Sequence, residues 1–156
     1  MNPKNMAEIG SLKDCIGEIV TVLGWIDAIR SHGKVGFLIV RDGTGLAQGV
    51  ILKEEVSQDL WDSHESMTLE CSVALTGEVR EEPRAPGGFE IGVNDLEMLG
   101  SSSDYPIQPK EHGVEFLLDH RHLWLRSSRQ RAGLRVRHEV EQAIHDYFYE
   151  RGFVRI

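Results

Sequence analysis

The segment from Met67 to Val79 alternates between two kinds of side chain, residue by residue. Its odd-numbered positions carry Met, Leu, Cys, Val, Leu, Gly and Val, whereas Thr, Glu and Ser occupy most of the even-numbered positions. Successive side chains of a β-strand point to opposite faces, so a period of two indicates one buried face and one face in water. The segment is therefore predicted to be a strand of a half-buried sheet.

Four further segments are predicted as strands: Glu18–Arg30, Val35–Arg41, Leu46–Leu52 and Phe89–Val93, the last extending to Met98. The first two are rich in β-branched and aromatic residues, which favour the pleated conformation. Asp42-Gly43-Thr44-Gly45 is typical of a turn, so the second and third of these segments are expected to form a hairpin.

One segment departs from this all-β pattern. Lys53–Ser63 contains good helix formers, with Val56 and Leu60 four residues apart, and it lies between the third and fourth predicted strands. Five strands with a helix between the third and fourth follow the order of an OB-fold, a small Greek-key barrel. We therefore predict a mainly β chain: a five-stranded OB-fold Greek-key barrel with one helix between strands 3 and 4, followed by a hinge and a C-terminal α-helix.

The distribution of charge divides the chain into two parts. Residues 1–100 carry 8 basic and 17 acidic side chains, whereas residues 101–156 carry 9 basic and 8 acidic ones. The stretch from Leu99 to Pro106 holds small, polar and proline residues without an apolar period, as a linker does. The predicted organisation is a barrel domain at residues 1–100, a hinge at 101–112 and a second unit at 113–156.

Composition excludes several classes of protein. The formal net charge of −8 argues against a general nucleic-acid coat protein, which has a strongly basic surface. No apolar run approaches the ~20 residues that a membrane helix needs, and the first residues lack the layout of a secretory signal. Cys15 and Cys71 are too few for a disulfide framework and show no metal-ligand spacing. We expect a soluble, cytoplasmic protein without a metal site or a membrane partner.

The second unit ends in a predicted helix with one apolar stripe, formed by Val136, Val140, Ala143, Ile144, Tyr147 and Phe148. Ser127 with Gln130 three residues later resembles a capping box, and Gly152 is typical of a helix C-terminus. Phe153–Ile156 predicts the start of a strand, so we expect the sequence to end inside an element.

Several motifs follow one another in a recognisable order. Gly24-Trp25-Ile26-Asp27 with Arg30, and Phe37-Leu38-Ile39-Val40-Arg41-Asp42-Gly43 with Gln48, resemble the anticodon-binding barrel of class IIb aminoacyl-tRNA synthetases, the enzymes for aspartate, asparagine and lysine. Residues 105–113 followed by 116–126 resemble the hinge and the beginning of the catalytic domain of bacterial-type asparaginyl enzymes in particular. Arg151-Gly152-Phe153 is similar to the opening of class II motif 1.

The resemblance implies residues that read a tRNA anticodon. Arg30, Phe37 and Gln48 match anticodon-contacting positions of the family, the glutamine at the central uridine, and Glu78 matches an acidic position that also contacts a base. The side chains suit these roles: a phenyl ring stacks on a base, an amide carries a donor and an acceptor, and a guanidinium pairs with phosphate. Each also has an ordinary structural alternative, namely a core aromatic, a surface amide or a solvated charge.

The resemblance further implies that the chain is the N-terminal part of an asparagine-tRNA ligase, a homodimer that attaches asparagine to its tRNA with ATP and Mg²⁺. Nothing in the 156 residues matches class II motifs 2 and 3, which hold the triphosphate and the magnesium. We therefore expect residues 113–156 to begin a catalytic domain truncated within motif 1, with no catalytic residue, no bound cofactor and no aminoacylation by this chain alone. Two alternatives stay open: the aspartyl-type sibling, and a stand-alone OB-fold RNA-binding module without catalysis.

Overall fold

Five strands form a closed barrel in the computed structural model, which describes residues 5–156. The strands are β1 (Ile19–His32), β2 (Val35–Arg41), β3 (Leu46–Leu52), β4 (Ser72–Glu81) and β5 (Phe89–Gly100). Around the barrel they follow the order β1-β2-β3-β5-β4, and β4 pairs again with β1. Every neighbouring pair is antiparallel except β3 and β5, which are parallel. The predicted OB-fold barrel is confirmed.

The longest strand, β1, pairs with two neighbouring strands. Ile19–Trp25 pairs with β4, and the residues from Trp25 to His32 pair with β2, with a bulge between Ile26 and Ala28. Gly24 lies just before this bulge, where an added Cβ would approach the carbonyl oxygen of Arg41 to 2.5 Å. Only glycine therefore permits the close strand contact at this corner of the barrel.

The strand predicted from the alternation at Met67–Val79 is confirmed only in its second half. Val73, Leu75, Gly77 and Val79 face inward, but β4 begins at Ser72 rather than at Met67. Glu70 has a left-handed backbone, with φ at 65°, and this turn ends any strand that would run through it. Met67 and Cys71 are nevertheless buried in the core, so the apolar period continues across a turn.

The helix between β3 and β4 is α1 (Gln58–Ser66), which starts five residues later than predicted. Its N-cap is Ser57, whose Oγ accepts a hydrogen bond from the Leu60 N–H at 3.2 Å. Residues 53–55 form a turn instead, closed by a bond from the Glu55 N–H to the Leu52 carbonyl. Leu60, Trp61 and His64 are the buried face of α1.

Aliphatic side chains from all five strands fill the barrel, among them Val22, Ile26, Leu38, Ile51, Leu75 and Ile91. A short 3-10 helix, Ile9–Asp14, adds Ile9 and Leu12 to this core next to the β2–β3 turn. The α1 helix contributes at the opposite end of β2, where the His64 ring lies against Gly36. Because aliphatic side chains fill the interior, the barrel offers its outer surface to a ligand.

A second compact unit, residues 106–156, follows the barrel unit, which ends at Tyr105. It contains α2 (Val114–Asp119), α3 (Arg121–Trp124) and α4 (Ser128–Tyr149), the last being the predicted C-terminal helix. The predicted limits of hinge and catalytic domain stay predictions. Within residues 5–156, no helix is long and apolar enough to cross a membrane.

Two details of α4 differ from prediction. Ser127 is the N-cap residue, but its side chain makes no capping bond, so the capping box with Gln130 is not formed. Phe153–Ile156 is not a strand, because a strand requires a hydrogen-bonded neighbour and no described residue pairs with this segment. The Phe153 ring instead packs edge-on against Phe148, 5.4 Å between centroids.

Candidate nucleic-acid interface

Three of the four predicted site residues meet in one pocket on the outer face of the barrel. Arg30, Phe37 and Gln48 line it together with Ser31 and His32, and its volume is 520 Å³. Arg30 and Phe37 are direct partners in the β1–β2 ladder, and Gln48 is paired with Ile39, two residues along β2 from Phe37. Three adjacent strands thus bring these side chains together.

The pocket combines an aromatic ring with an available cation. Phe37 faces outward because its neighbour Gly36 occupies the inward position, where the His64 ring leaves no room for a Cβ. Arg30 is exposed, and its guanidinium forms no ion pair with any of residues 5–156. A half-buried ring beside an unpaired guanidinium suits a flat base with a nearby phosphate.

Gln48 is held by a partner that sequence reasoning missed. Its Nε2 donates to Oε2 of Glu90 at 3.2 Å, and the two residues are direct partners in the parallel β3–β5 ladder. They are 42 residues apart in the chain. No local pattern links them, so the contact follows only from closure of the barrel.

Glu78 lies outside the pocket. It is on β4, paired with Gly92 of β5, so that β5 separates it from Gln48 on β3. Its carboxylate accepts two hydrogen bonds from the Arg80 guanidinium, at 2.8 and 3.0 Å. The lack of a side chain at Gly92 makes room for this guanidinium, since a Cβ there would lie 2.9 Å from Arg80 Cζ. The predicted base contact of Glu78 stays a prediction.

Residues 20–99 match the tRNA anticodon family, described as an OB-fold nucleic acid binding domain. The chain belongs to this family. The matched segment runs from the second residue of β1 almost to the end of β5 and contains every residue of the pocket.

Relatives that match more of the chain are aminoacyl-tRNA synthetases. The asparagine–tRNA ligase of Symbiobacterium thermophilum is 49% identical over 138 residues, which is 88% of this chain and 32% of that protein. That of Pelotomaculum thermopropionicum is 52% identical over 146 residues, 94% of this chain and 34% of that protein. The crystal structure of asparaginyl-tRNA synthetase from Pyrococcus horikoshii with asparaginyl-adenylate superposes with a TM-score of 0.88 at 29% identity, covering 98% of this chain and 36% of that chain.

These similarities confirm the resemblance to asparaginyl-type synthetases. The chain spans about a third of the length of the curated relatives that it matches. The relatives are ligases, and what their remaining two thirds contribute lies outside this chain.

Some charged residues of the family motifs have structural partners within the fold. Arg41 is only 8% exposed, and one of its terminal nitrogens donates to both carboxylate oxygens of Glu70 at 2.7 Å. Its Nε donates to Asp27 at 3.2 Å, and its guanidinium lies 5.9 Å from the centre of the Trp25 ring. Trp25 and Asp27 of the Gly-Trp-Ile-Asp motif thus surround a buried cation, which couples β1, β2 and the turn before β4.

Asp42 of the second family motif also has a structural role. Its Oδ1 accepts hydrogen bonds from the N–H groups of Thr44 and Gly45 and from the Thr44 hydroxyl, and its Oδ2 accepts from the Ile9 N–H at 2.8 Å. Partial burial raises the pKa of Asp42, but these four hydrogen bonds together outweigh burial and leave the pKa below its ordinary value. The carboxylate fastens the N-terminal segment to the β2–β3 turn.

No group of three His, Cys, Asp or Glu side chains within residues 5–156 could hold a metal ion. The polar residues that line the pocket carry a guanidinium, a hydroxyl, an imidazole and an amide. These groups can hydrogen-bond to the polar edge and the phosphate of a nucleotide.

Proposed function

We propose that this chain reads the anticodon loop of a tRNA as the N-terminal part of an asparagine–tRNA ligase. The observation that carries the proposal is the convergence of Arg30, Phe37 and Gln48 in one open pocket inside the segment matched by the anticodon family. Phe37 stacks on the central base, Gln48 bonds to the edge of that base, and Arg30 contacts an adjacent phosphate. Glu78 contacts a neighbouring base from its separate position on β4.

The role of the whole protein is inferred from its relatives, which are asparagine–tRNA ligases at about half sequence identity. Its complete form attaches asparagine to tRNA with ATP and Mg²⁺ and acts as a homodimer in the cytoplasm. The 156 residues contribute recognition of the tRNA and no catalytic group. Incubated alone with asparagine, ATP, Mg²⁺ and tRNA, they yield no Asn-tRNA, and formation of that product would contradict this assignment.

Binding of short anticodon stem-loops tests the proposal. The 156-residue chain is expected to bind a loop whose anticodon ends in U more tightly than the same loop ending in C, since the last anticodon base separates the asparaginyl type from the aspartyl type. A preference for C would instead assign the aspartyl sibling. Equal binding to loops with unrelated anticodons would favour a stand-alone RNA-binding module.

Replacing the stacking ring tests the pocket itself. Phe37→Ala is expected to weaken binding of the cognate loop by about 1–3 kcal/mol, the usual contribution of one base stacked on an aromatic ring. Tyr149→Ala is the matched control, because Tyr149 is an aromatic residue that is 80% exposed on α4 and outside the pocket. Fluorescence anisotropy of a labelled loop measures both. Equal losses of binding free energy in the two variants would show that the pocket is not part of the binding site.

A further inference from the structure

The amide of Gln48 is oriented before any ligand arrives. Glu90 is a carboxylate, which only accepts hydrogen bonds, so the Gln48 side chain must turn its nitrogen rather than its oxygen toward it. The observed bond, 3.2 Å from Nε2 to Oε2, has this polarity. With the amide turned by 180°, its oxygen would face the carboxylate oxygen, and the two would repel each other. Gln48 therefore presents its oxygen and its second N–H to the pocket in one fixed order.

Two arginines lie near Glu90, and neither forms a hydrogen bond to its carboxylate: Arg84 interacts with it electrostatically but donates to Glu82. The cross-strand neighbour of Glu90 on β4 is Arg80, but the Arg80 guanidinium donates to Glu78 and lies over Gly92. Gln48 and Glu90 are both half-buried on the outer face, and they belong to the short parallel ladder that closes the barrel. Their relative position is therefore set by backbone pairing and not by two flexible loops.

A Gln48 amide held in one orientation can distinguish uracil from cytosine. Along its pairing edge, uracil offers the O4 acceptor beside the N3–H donor, whereas cytosine offers the N4 donor beside the N3 acceptor. For a base stacked in one pose, the two pyrimidines thus require opposite orientations of the Gln48 amide. An amide that can turn over would accept both, and an amide held by Glu90 accepts only one.

We propose that Glu90 is a positioning residue, which holds the amide of Gln48 in one orientation and so makes the pocket select uracil over cytosine at the central anticodon position. This inference rests on the proposed function, in which Gln48 faces that base. Glu90 itself need not touch the RNA.

The variant Glu90→Gln tests this directly. A glutamine at this position can either donate or accept, so Gln48 can turn over. The 156-residue chain is titrated with two stem-loops that differ only in a central U or C, and the readout is the ratio of the two dissociation constants. One bidentate contact distinguishes bases by about 10-fold or more, and the variant is expected to reduce this preference to about 3-fold or less.

The matched control is Glu97→Gln, the same change of charge at an exposed position further along β5. Removing one negative charge strengthens binding of both loops alike, so the ratio separates orientation from charge. Gln48→Ala provides a second control: in that background, Glu90→Gln is expected to leave the ratio unchanged. An unchanged ratio for Glu90→Gln in the wild-type background would overturn the inference.

A measurement without RNA separates this inference from the proposed function. In the ¹⁵N–¹H spectrum of the free chain, one side-chain amide proton of Gln48 is expected to shift downfield through its bond to the carboxylate, and Glu90→Gln is expected to remove that shift. If the wild-type chain binds neither loop, the proposed function fails even with the shift present, and base selection fails with it. If it binds both loops equally although the shift is present, only the inference is overturned.

Discussion

Arg41 and Arg30 lie on adjacent strands of the same barrel, β2 and β1, yet their guanidinium groups have opposite surroundings. Arg41 is buried and bonded to the carboxylates of Asp27 and Glu70. Arg30 is exposed beside an aromatic ring and makes no ion pair with the residues that the structure describes. Both arginines belong to the family motifs, and in the sequence only the match to an anticodon-contacting position distinguishes Arg30 from Arg41. The difference indicates that Arg41 supports the fold, and it leaves the Arg30 guanidinium available for the phosphate contact proposed above.

The largest expected effect is that of removing the buried cation. Arg41→Met removes the guanidinium that donates to both oxygens of the Glu70 carboxylate, whose side chain is 9% exposed. Breaking such a buried pair from one side costs about 3–5 kcal/mol of folding free energy. Urea unfolding followed by circular dichroism measures this loss.

The matched variant is Arg30→Met, because it makes the same change of side chain on the exposed arginine. Its unfolding free energy is expected to stay within about 0.5 kcal/mol of wild type, as for most surface substitutions, while its affinity for the anticodon loop falls. Equal destabilisation by both variants would abolish the distinction between the two arginines.

His64 adds a third kind of polar group, buried but without a partner. Its ring is 1% exposed, and neither ring nitrogen has a hydrogen-bond partner among residues 5–156. Burial lowers the pKa of His64, and the nearby Glu65 carboxylate opposes this only partly. The folded state therefore disfavours the protonated ring, whereas the unfolded state protonates it near its ordinary pKa of about 6.5.

The sign of the pH dependence follows from this difference. The contribution of His64 to stability is complete above the unfolded pKa of about 6.5 and is lost as the pH falls below it, at up to about 1.4 kcal/mol per pH unit for one proton. His64→Leu is expected to remove this part of the pH dependence. Urea unfolding of both proteins at pH 7.5 and 5.5 measures it, and identical slopes for the two would show that His64 does not titrate as its burial requires.

A smaller loss of stability is expected at Asp27, the outer partner of Arg41. The side chain of Asp27 is 36% exposed and lies 3.2 Å from Arg41 Nε. Solvent weakens such an ion pair, so Asp27→Asn is expected to cost about 0.2–1 kcal/mol in unfolding free energy. A loss as large as that of Arg41→Met would mean that Asp27, and not Glu70, is the main counter-charge.

The predicted limits of an element were most accurate where residues close in the sequence determine them. The limits of β2 and β3 agree with prediction, because a hairpin is specified by its alternation and by the turn at Asp42-Gly43. The start of β4 was wrong, because the left-handed turn at Glu70 directs its carboxylate to Arg41, 29 residues away. The start of α1 was wrong for a simpler reason: Ser57 is a common N-cap residue, and that signal was present in the sequence.

The residues of the pocket also differ in how far the sequence predicts them. The hairpin register places Phe37 and Gln48 on one outer face, and β1 adds Arg30, so these three residues were predictable from local pattern and family resemblance. Ser31 and His32, which also line the pocket, directly follow Arg30 and would have been found by extending the first predicted strand to its true end. Glu90 carried no local signal at all.

The sequence by itself determined the type and order of the strands, the hairpin that carries Phe37 and Gln48, and membership of the anticodon family, because these depend on alternation, turn residues and motif spacing. Only the tertiary structure decided which polar groups are used internally and which stay open. It buried Arg41 between two carboxylates, separated Glu78 from Gln48 by one strand, and set Glu90 beside Gln48. The contacts of Gln48 with Glu90 and of Arg41 with Glu70 join residues 42 and 29 positions apart, and proximity across such separations is not encoded in the local pattern of the sequence.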